Sequence, residues 1–467
     1  MSPPRLVPYL GLCLFCLTTL ACGSPDVAHH DDDITERACE LSPLGRAVVD
    51  AAMAAEPSRN TVPAEWMVTM DNLVGDALLT GPAIFPAMAD AIAEAEHEVD
   101  IAMFVVAPSD AYEEILDGLV RLEARRAAEG GEQPVVVRLV VDAQKAFFNT
   151  GPEMANRAFS GIAGLGLDPD LVQVLVATYE HLALGNLHTK SVIVDGRVAM
   201  IGGANIQHQH DFEAPWLDSF YAVEGMAAQT LLADFDHAWR KARAWHCDAD
   251  ADEGQWCTRW DDAPPIWHPA AVLDPTWDDT LGCAPAIALN RTAWGGFNNS
   301  VDNPMAQGLL AAFAHARESI RIQTPNLNDD AVRDALVAAV GRGVDVQLVL
   351  SLGFNERAMG LFGGGNAEVA SDLRARVAKE APGAEDHLQI RFYSEDGVTP
   401  VEGNGPGASH LKYLSVDDQL VVVGSTNMDT IAWNHSRETN LGFDSPEVTR
   451  RWDAQVFEPS FARGVAW

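Results

Sequence analysis

The stretch NLHTKSVIVDGRVAMIGGAN, Asn186 to Asn205, is echoed about 220 residues later by SHLKYLSVDDQLVVVGSTN, Ser409 to Asn427. Aligned by residue, His188, Lys190, Asp195, Gly202, Gly203 and Asn205 match His410, Lys412, Asp417, Gly424, Ser425 and Asn427, with every interval the same. One His-x-Lys alone carries no information; a second copy with identical spacing does. The period is far too long for a solenoid repeat and reads as a duplicated domain. Each copy looks like a strand, a bend and a returning strand. Residues two apart on a strand share a face, so the His and Lys of each copy are expected to project together. Asp195-Gly196 is a hairpin-turn dipeptide and Asp417-Asp418 occupies the matching bend, so the motif aspartates are expected to be structural. The returning strands end in Gly202-Gly203 and Gly424-Ser425, small residues that let backbone approach a ligand closely.

Working outward, the flanking sequence alternates helix and strand patterns in both halves. AIFPAMADAIAEAEHE and DAYEEILDGLVRLEARRAAEG read as amphipathic helices, and VDIAMFVVA and PVVVRLVVDA as buried strands. The second half replays this with MAQGLLAAFAHARES, IRIQTPN, DDAVRDALVAAVGRG and VDVQLVLSLG. The fold class is therefore α/β, as two α/β domains that each carry a sheet flanked by helices and pack about a pseudo-two-fold axis. Residues 64–245 form the expected N-terminal half and 285–467 the C-terminal half. Between them, 246–284 is rich in Trp, Asp and Pro without periodicity and reads as a surface insert.

With 467 residues, 48% of them hydrophobic, the chain is long enough for two cores. Residues 1–22 read as a signal peptide: Arg5 precedes an apolar run from Leu6 to Ala21, and the TLACGS stretch resembles a bacterial lipoprotein cleavage site in which Cys22 is lipidated. Plain secretion and an uncleaved anchor are the alternatives. Residues 23–63 read as an acidic tether with one short helix. Export makes Cys39, Cys247, Cys257 and Cys283 disulfide candidates, Cys247 and Cys257 closing a local loop; none has zinc-site spacing, so no metal is expected. The formal charge of −36 opposes a nucleic-acid partner.

Two imidazoles, two ammonium groups and two carboxamides suit one phosphodiester: Lys190, Lys412, Asn205 and Asn427 as donors to its oxygens, one histidine attacking phosphorus and the other protonating the leaving alkoxide. The duplicated HxK(x4)D(x6)G(G/S)xN pattern resembles that of the phospholipase D superfamily, from about Asn72 to the C-terminus. The resemblance implies two α/β halves about a pseudo-two-fold axis, each with a mixed sheet, and a metal- and cofactor-independent reaction through a covalent phosphohistidine. It makes His188 the nucleophile and His410 the general acid. It supplies Glu438 and, in a Trp-x-Asp setting like that of cardiolipin synthases, Asp218 as carboxylates that orient the imidazoles, with His188 expected on Glu438 and His410 on Asp218. Asp211 and Glu213 compete for the role of Asp218, and His208, His210 and His435 read as neighbours. Thr430 and Ile431 depart from the Arg-Ser common in the family. The expected function is hydrolysis or transfer of a phosphatidyl group by a monomer held at the bacterial envelope by its N-terminal lipid, or secreted. The alternatives are a nuclease of the same superfamily and, less favoured, a non-catalytic binding module.

Overall fold

The computed structural model describes residues 39–130, 133–143, 150–181, 184–251, 254–261, 268–273, 284–296, 298–356, 360 and 363–467. The segment containing Cys22 and the residue Cys283 lie outside them.

In the first half, β2 (Leu73–Leu79), α2 (Gly81–Ala93), β3 (Glu98–Met103), α3 (Asp110–Glu129), β4 (Val135–Asp142), α4 (Gly151–Ala163) and β5 (Val172–Tyr179) lead to the motif hairpin β6 (Ser191–Val194) and β7 (Val198–Gly202), followed by β8 (Ser219–Glu224) and α5 (Met226–Trp239). The second half repeats the plan with β11 (Ala286–Ala288), α7 (Pro304–His315), β12 (Ser319–Thr324), α8 (Asp330–Gly341), β13 (Asp345–Leu350), α9 (Asn366–Glu380), β14 (Leu388–Phe392), the hairpin β15 (Tyr413–Val416) and β16 (Leu420–Gly424), and β17 (Asn440–Asp444). The inner strand orders are 5-4-3-6-7-8-2 and 14-13-12-15-16-17-11, so the two nine-stranded sheets correspond strand for strand there. In both, the first three strands are parallel with helical crossovers and the motif hairpin pairs antiparallel to them. Helices cover the outer faces, which is why β3 and β4 are buried along almost their whole length and are mostly apolar, interrupted by Asp100 and Arg138, which pair with each other.

A core between the sheets draws on both halves: Ile193, Ile201, Tyr221 and Phe235 pack in one cluster with Leu411, Tyr413, Val423 and Trp452. The rings of Tyr221 and Trp452 stand 4.3 Å apart.

Three expected boundaries shift. The helix expected in the 23–63 tether, α1 (Pro43–Ala54), belongs to the C-terminal half: Val48, Val49 and Ala52 are buried in its core with α7. Ser42 caps α1, and its hydroxyl also donates to Asp444 of β17 at 2.8 Å. Likewise β1 (Val68–Thr69), expected in the N-terminal half, pairs with β11 of the other sheet. An amphipathic helix shows which face it buries but not what it buries it against. Finally, the expected insert begins inside a hairpin. Strands β9 (Ala242–Cys247) and β10 (Cys257–Arg259) extend the first sheet, with Cys247 opposite Cys257 and disulfide-bonded to it. Cys39 is disulfide-bonded too.

The motif aspartates lie at the far ends of β6 and β15 with left-handed φ, 53° at Asp195 and 56° at Asp417. The Asp195 carboxylate accepts the backbone N–H groups of Glu96, His97 and Glu98, each at 2.8 Å. Asp417 does the same for Arg317, Glu318 and Ser319. Each aspartate thus ties the hairpin bend to the loop that starts the neighbouring parallel strand, a local hydrogen-bonding role.

Val48→Asp, which buries a carboxylate without a partner in the C-terminal core, should cost ~3 kcal/mol or more, while Met53→Asp on the exposed side of α1 should stay within ~0.5 kcal/mol. Chemical denaturation of both variants checks this; equal effects would mean that α1 does not dock.

Candidate active site

The His-x-Lys pairs stand just before β6 and β15 rather than within them. What fixes them is two isolated parallel bridges between halves, Leu187 with Arg437 and Leu217 with Ser409. The His188 N–H donates to the Arg437 carbonyl at 2.9 Å, and the His410 N–H to the Leu217 carbonyl at 2.8 Å. Each bridge sets the residue before an imidazole opposite the residue before a carboxylate. Accordingly His188 Nδ1 lies 3.1 Å from Glu438, and His410 Nδ1 lies 2.7 Å from Asp218. Both carboxylates are fully buried acceptors. Each therefore takes an Nδ1–H, leaving Nε2 of each ring as the atom available for chemistry.

The two lysines fold back on their own motifs. Lys190 Nζ donates to the His188 carbonyl at 2.6 Å. Lys412 Nζ donates to the His410 carbonyl and stands 2.8 Å from His410 Nδ1. Burial, reinforced by the nearby Lys412 charge, pushes the Lys190 pKa down to about 7. Burial, opposed by Asp218 and Glu438, brings that of Lys412 to about 8. Burial also depresses His188, against the pull of Glu438, and, together with Lys412, takes His410 well below the ordinary imidazole range. Burial works against ionisation of Asp218, yet Lys412 and His410 hold its carboxyl far below the usual value. Lys412 acts on His188, and Glu438 acts on Lys412, so the charges of both copies meet in one site.

The remaining motif residues sort by what they touch. Gly202 and Gly203 lie against β8 and its approach: a Cβ at 202 would meet the Ser219 carbonyl oxygen at 2.0 Å, and one at 203 the Asp218 carboxylate at 2.2 Å. Gly424 has φ 146° and faces the Thr439 carbonyl. Ser425 Oγ donates to Glu438 at 2.5 Å. Among the described residues Asn205 and Asn427 are both buried with an unpartnered amide oxygen, and the Asn427 amide nitrogen donates to Asp429 at 2.9 Å. Of the other candidates, Asp211 accepts the Ala111 N–H, Glu213 and His208 are exposed, and His435 lies 3.1 Å from Asn299 Oδ1. Thr430 opens a short helix behind Asn427.

Sequence reasoning missed several residues here. The ring of Phe104 stands 5.2 Å from that of His188, and Trp216 and Phe354 flank His410 at 5.5 and 5.4 Å. Asp234 of α5 binds the fully buried Arg437 guanidinium at 2.7 Å and fixes the Arg437–Glu438 segment from the opposite half. His210, read as a neighbour, is fully buried with Nε2 3.3 Å from Asp218. The one available signal was its position eight residues before Asp218. Among the described residues His210, Asp218 and His410 bring possible ligand atoms within 4.8 Å. Both rings, however, are hydrogen-bonded to a single carboxylate oxygen, and the Lys412 nitrogen already stands at His410 Nδ1. The set is a hydrogen-bonded cluster.

Two like halves that exchange carboxylates to hold two imidazoles beside two buried lysines define a duplicated α/β protein with one composite His-Lys site. The family profile described as "Cardiolipin synthase, PLD-like domain" matches residues 88–239 and 309–458, and the chain belongs to that phospholipase D-like family. Phospholipase D of Streptomyces antibioticus is 25% identical, over 85% of this chain and 81% of that protein. Cardiolipin synthase 1 of Bacillus anthracis is 24% identical, over 77% of this chain and 61% of that protein. The chain thus spans about three fifths of the length of that synthase. In fold it resembles the crystal structure of phosphatidylserine synthase from Haemophilus influenzae Rd KW20, with a TM-score of 0.58 and 13% identity, covering 91% of this chain and 92% of that one.

A lysine whose folded pKa lies below its unfolded value penalises folding most at low pH. Between about 7 and the unfolded value the unfolded chain binds more protons, so this penalty fades as pH rises through that window. Lys190→Met should therefore raise stability over the parent at pH 6.5, and the gain should shrink by pH 9.5, as followed by thermal unfolding.

Proposed function

We propose that the protein is a phospholipid phosphodiesterase or phosphatidyltransferase working through a covalent phosphohistidine. The observation that carries this reading is the crosswise pairing of His188 with Glu438 and His410 with Asp218, which frees both Nε2 atoms beside two buried lysines. In the first step His188 Nε2 attacks phosphorus and the P–O bond to the headgroup breaks. His410 Nε2–H passes its proton to the leaving alkoxide. In the second step water or an alcohol loses a proton to His410 and attacks phosphorus, and the P–N bond breaks. Burial keeps both imidazoles on the neutral side at rest, which suits an attacking His188. The bound phosphodiester anion raises the His410 pKa, so that His410 Nε2 takes up a proton from solvent before the first step. Lys190, Lys412 and the amides of Asn205 and Asn427 stabilise charge on the phosphoryl oxygens.

Lipid rather than nucleic acid is favoured by the net charge of −36 and by the names of the relatives. One incubation with a phospholipid panel and single-stranded DNA, in EDTA, tests the reading. Headgroup release that survives chelation is expected, with a phosphatidyl alcohol formed when ethanol is added. His188→Ala should lose ~10^4-fold in turnover. DNA cleavage without lipid turnover would overturn the proposal.

We also propose that the protein is exported and held at the envelope by lipid on Cys22. The Cys247–Cys257 bond supports an oxidising destination. Alkylation of protein purified without reductant should leave both cysteines unmodified; free thiols at both would count against export.

A further inference from the structure

The two halves are not chemically equal, and the difference is concentrated at one residue. In the His188 arm, the second partner of Glu438 is Ser425, whose hydroxyl donates at 2.5 Å from within the motif. The matching position in the other arm is Gly203, where a Cβ would lie 2.2 Å from Asp218. No side chain at 203 can therefore donate. The second side-chain partner of Asp218 comes instead from outside the motif: His210 Nε2, 3.3 Å from the same Oδ2 that accepts His410 Nδ1–H at 2.7 Å. The backbone N–H of Ser219 takes the other oxygen at 2.9 Å. His210 is completely buried and sits edge-on to Trp216 at 5.5 Å and to His410 at 5.9 Å. Among the described residues its Nδ1 is buried without a partner, so there the ring is held by Asp218 and by packing.

We propose that His210 is a positioning residue for the reaction proposed above, on whose reading of His410 it rests: by sharing Asp218 with His410 it sets the orientation and basicity of that imidazole, and so assigns the two histidines unequal roles. A donor on Asp218 Oδ2 withdraws charge from the oxygen that stabilises the His410 imidazolium. Any positive charge on His210 acts on His410 in the same direction. The other groups facing His410 are Lys412, the Trp216 and Phe354 rings and Asp218 itself. Asp218 is faced by Lys412, by Lys190 and by the buried phenol of Tyr221. None of these changes when His210 is replaced, so the effect is assignable.

The test compares His210→Phe, which fills the space without donating, with His210→Gln, whose Nε2 can donate where the ring nitrogen did. In imidazole-labelled protein, nuclear magnetic resonance titration of the His410 ring should show its pKa raised by ~0.5–1 in the Phe variant and returned toward the parent in the Gln variant. Turnover should fall ~10–100-fold in kcat with little change in KM, the basic limb of the pH profile moving up with the ring pKa, and the Gln variant should recover most of it. A His410 titration unmoved in the folded Phe variant overturns the proposal, whatever happens to turnover. So does a Gln variant that behaves like Phe. If the ring titration moves as expected but no phosphodiester turns over in the parent, the linkage stands and the functional reading fails.

Discussion

Neither motif imidazole is completed by its own half of the chain. His188 depends on Glu438 and His410 on Asp218, and in each case the contact is set by a backbone bridge that crosses between halves one residue upstream. A ring held at Nδ1 by a buried carboxylate has one tautomer and one orientation, so its Nε2 is aimed before any substrate arrives. Because both imidazoles obey this constraint, a half separated from its partner would carry a histidine and a lysine but no oriented imidazole. Docking the halves and assembling the site are the same event.

That constraint explains features elsewhere that look like ordinary packing. The core shared between the sheets places aromatic residues of both halves in contact, and α1 and β1 cross in sequence to complete the second half. Asp234 of α5 grips Arg437 beside Glu438, and Thr439 Oγ1 donates to the same carboxylate at 2.7 Å. A buried ion pair of this kind is weak support for net stability but effective at specifying one arrangement. Here what it specifies is the position of Glu438.

Much of the fold was legible because the strands of each half are buried on both faces and read as apolar runs, while the helices between them show a 3.6-residue period. The site was legible for a different reason: duplication turned a His-x-Lys that means nothing alone into a paired constraint. What stayed hidden was set by contacts between segments distant in sequence. The destination of α1, the edge pairing of β1, and the rings of Trp216 and Phe354 against His410 leave no periodic signature. The strand assignment of the His-x-Lys pairs was off by a few residues because bridges to the opposite half replace the ladder there. His210 was visible as a residue but not as a partner of Asp218, since a lone histidine near a motif has no spacing rule attached to it.

The charge balance of the site bears on what it can bind. The surface of a chain with net charge −36 repels a polyanion at long range. Yet Lys190, Lys412, Arg291 and Arg437 are all buried in or beside the site. Burial, joined by the Arg59 charge and opposed by Glu438, lowers the Arg291 pKa to about 9 although its guanidinium donates to the Ala432 and Asn434 carbonyls. Burial lowers both lysine pKa values, while Glu438 and Asp218 pull them back up. On the proposed reading, a single phosphodiester adds negative charge beside both lysines in a low-dielectric setting where the interaction is strong. An extended polyanion would have to bring its remaining phosphates across an acidic surface to do so. On the proposed reading, buried lysines behind an acidic exterior favour a substrate with one phosphate on an otherwise uncharged or zwitterionic molecule.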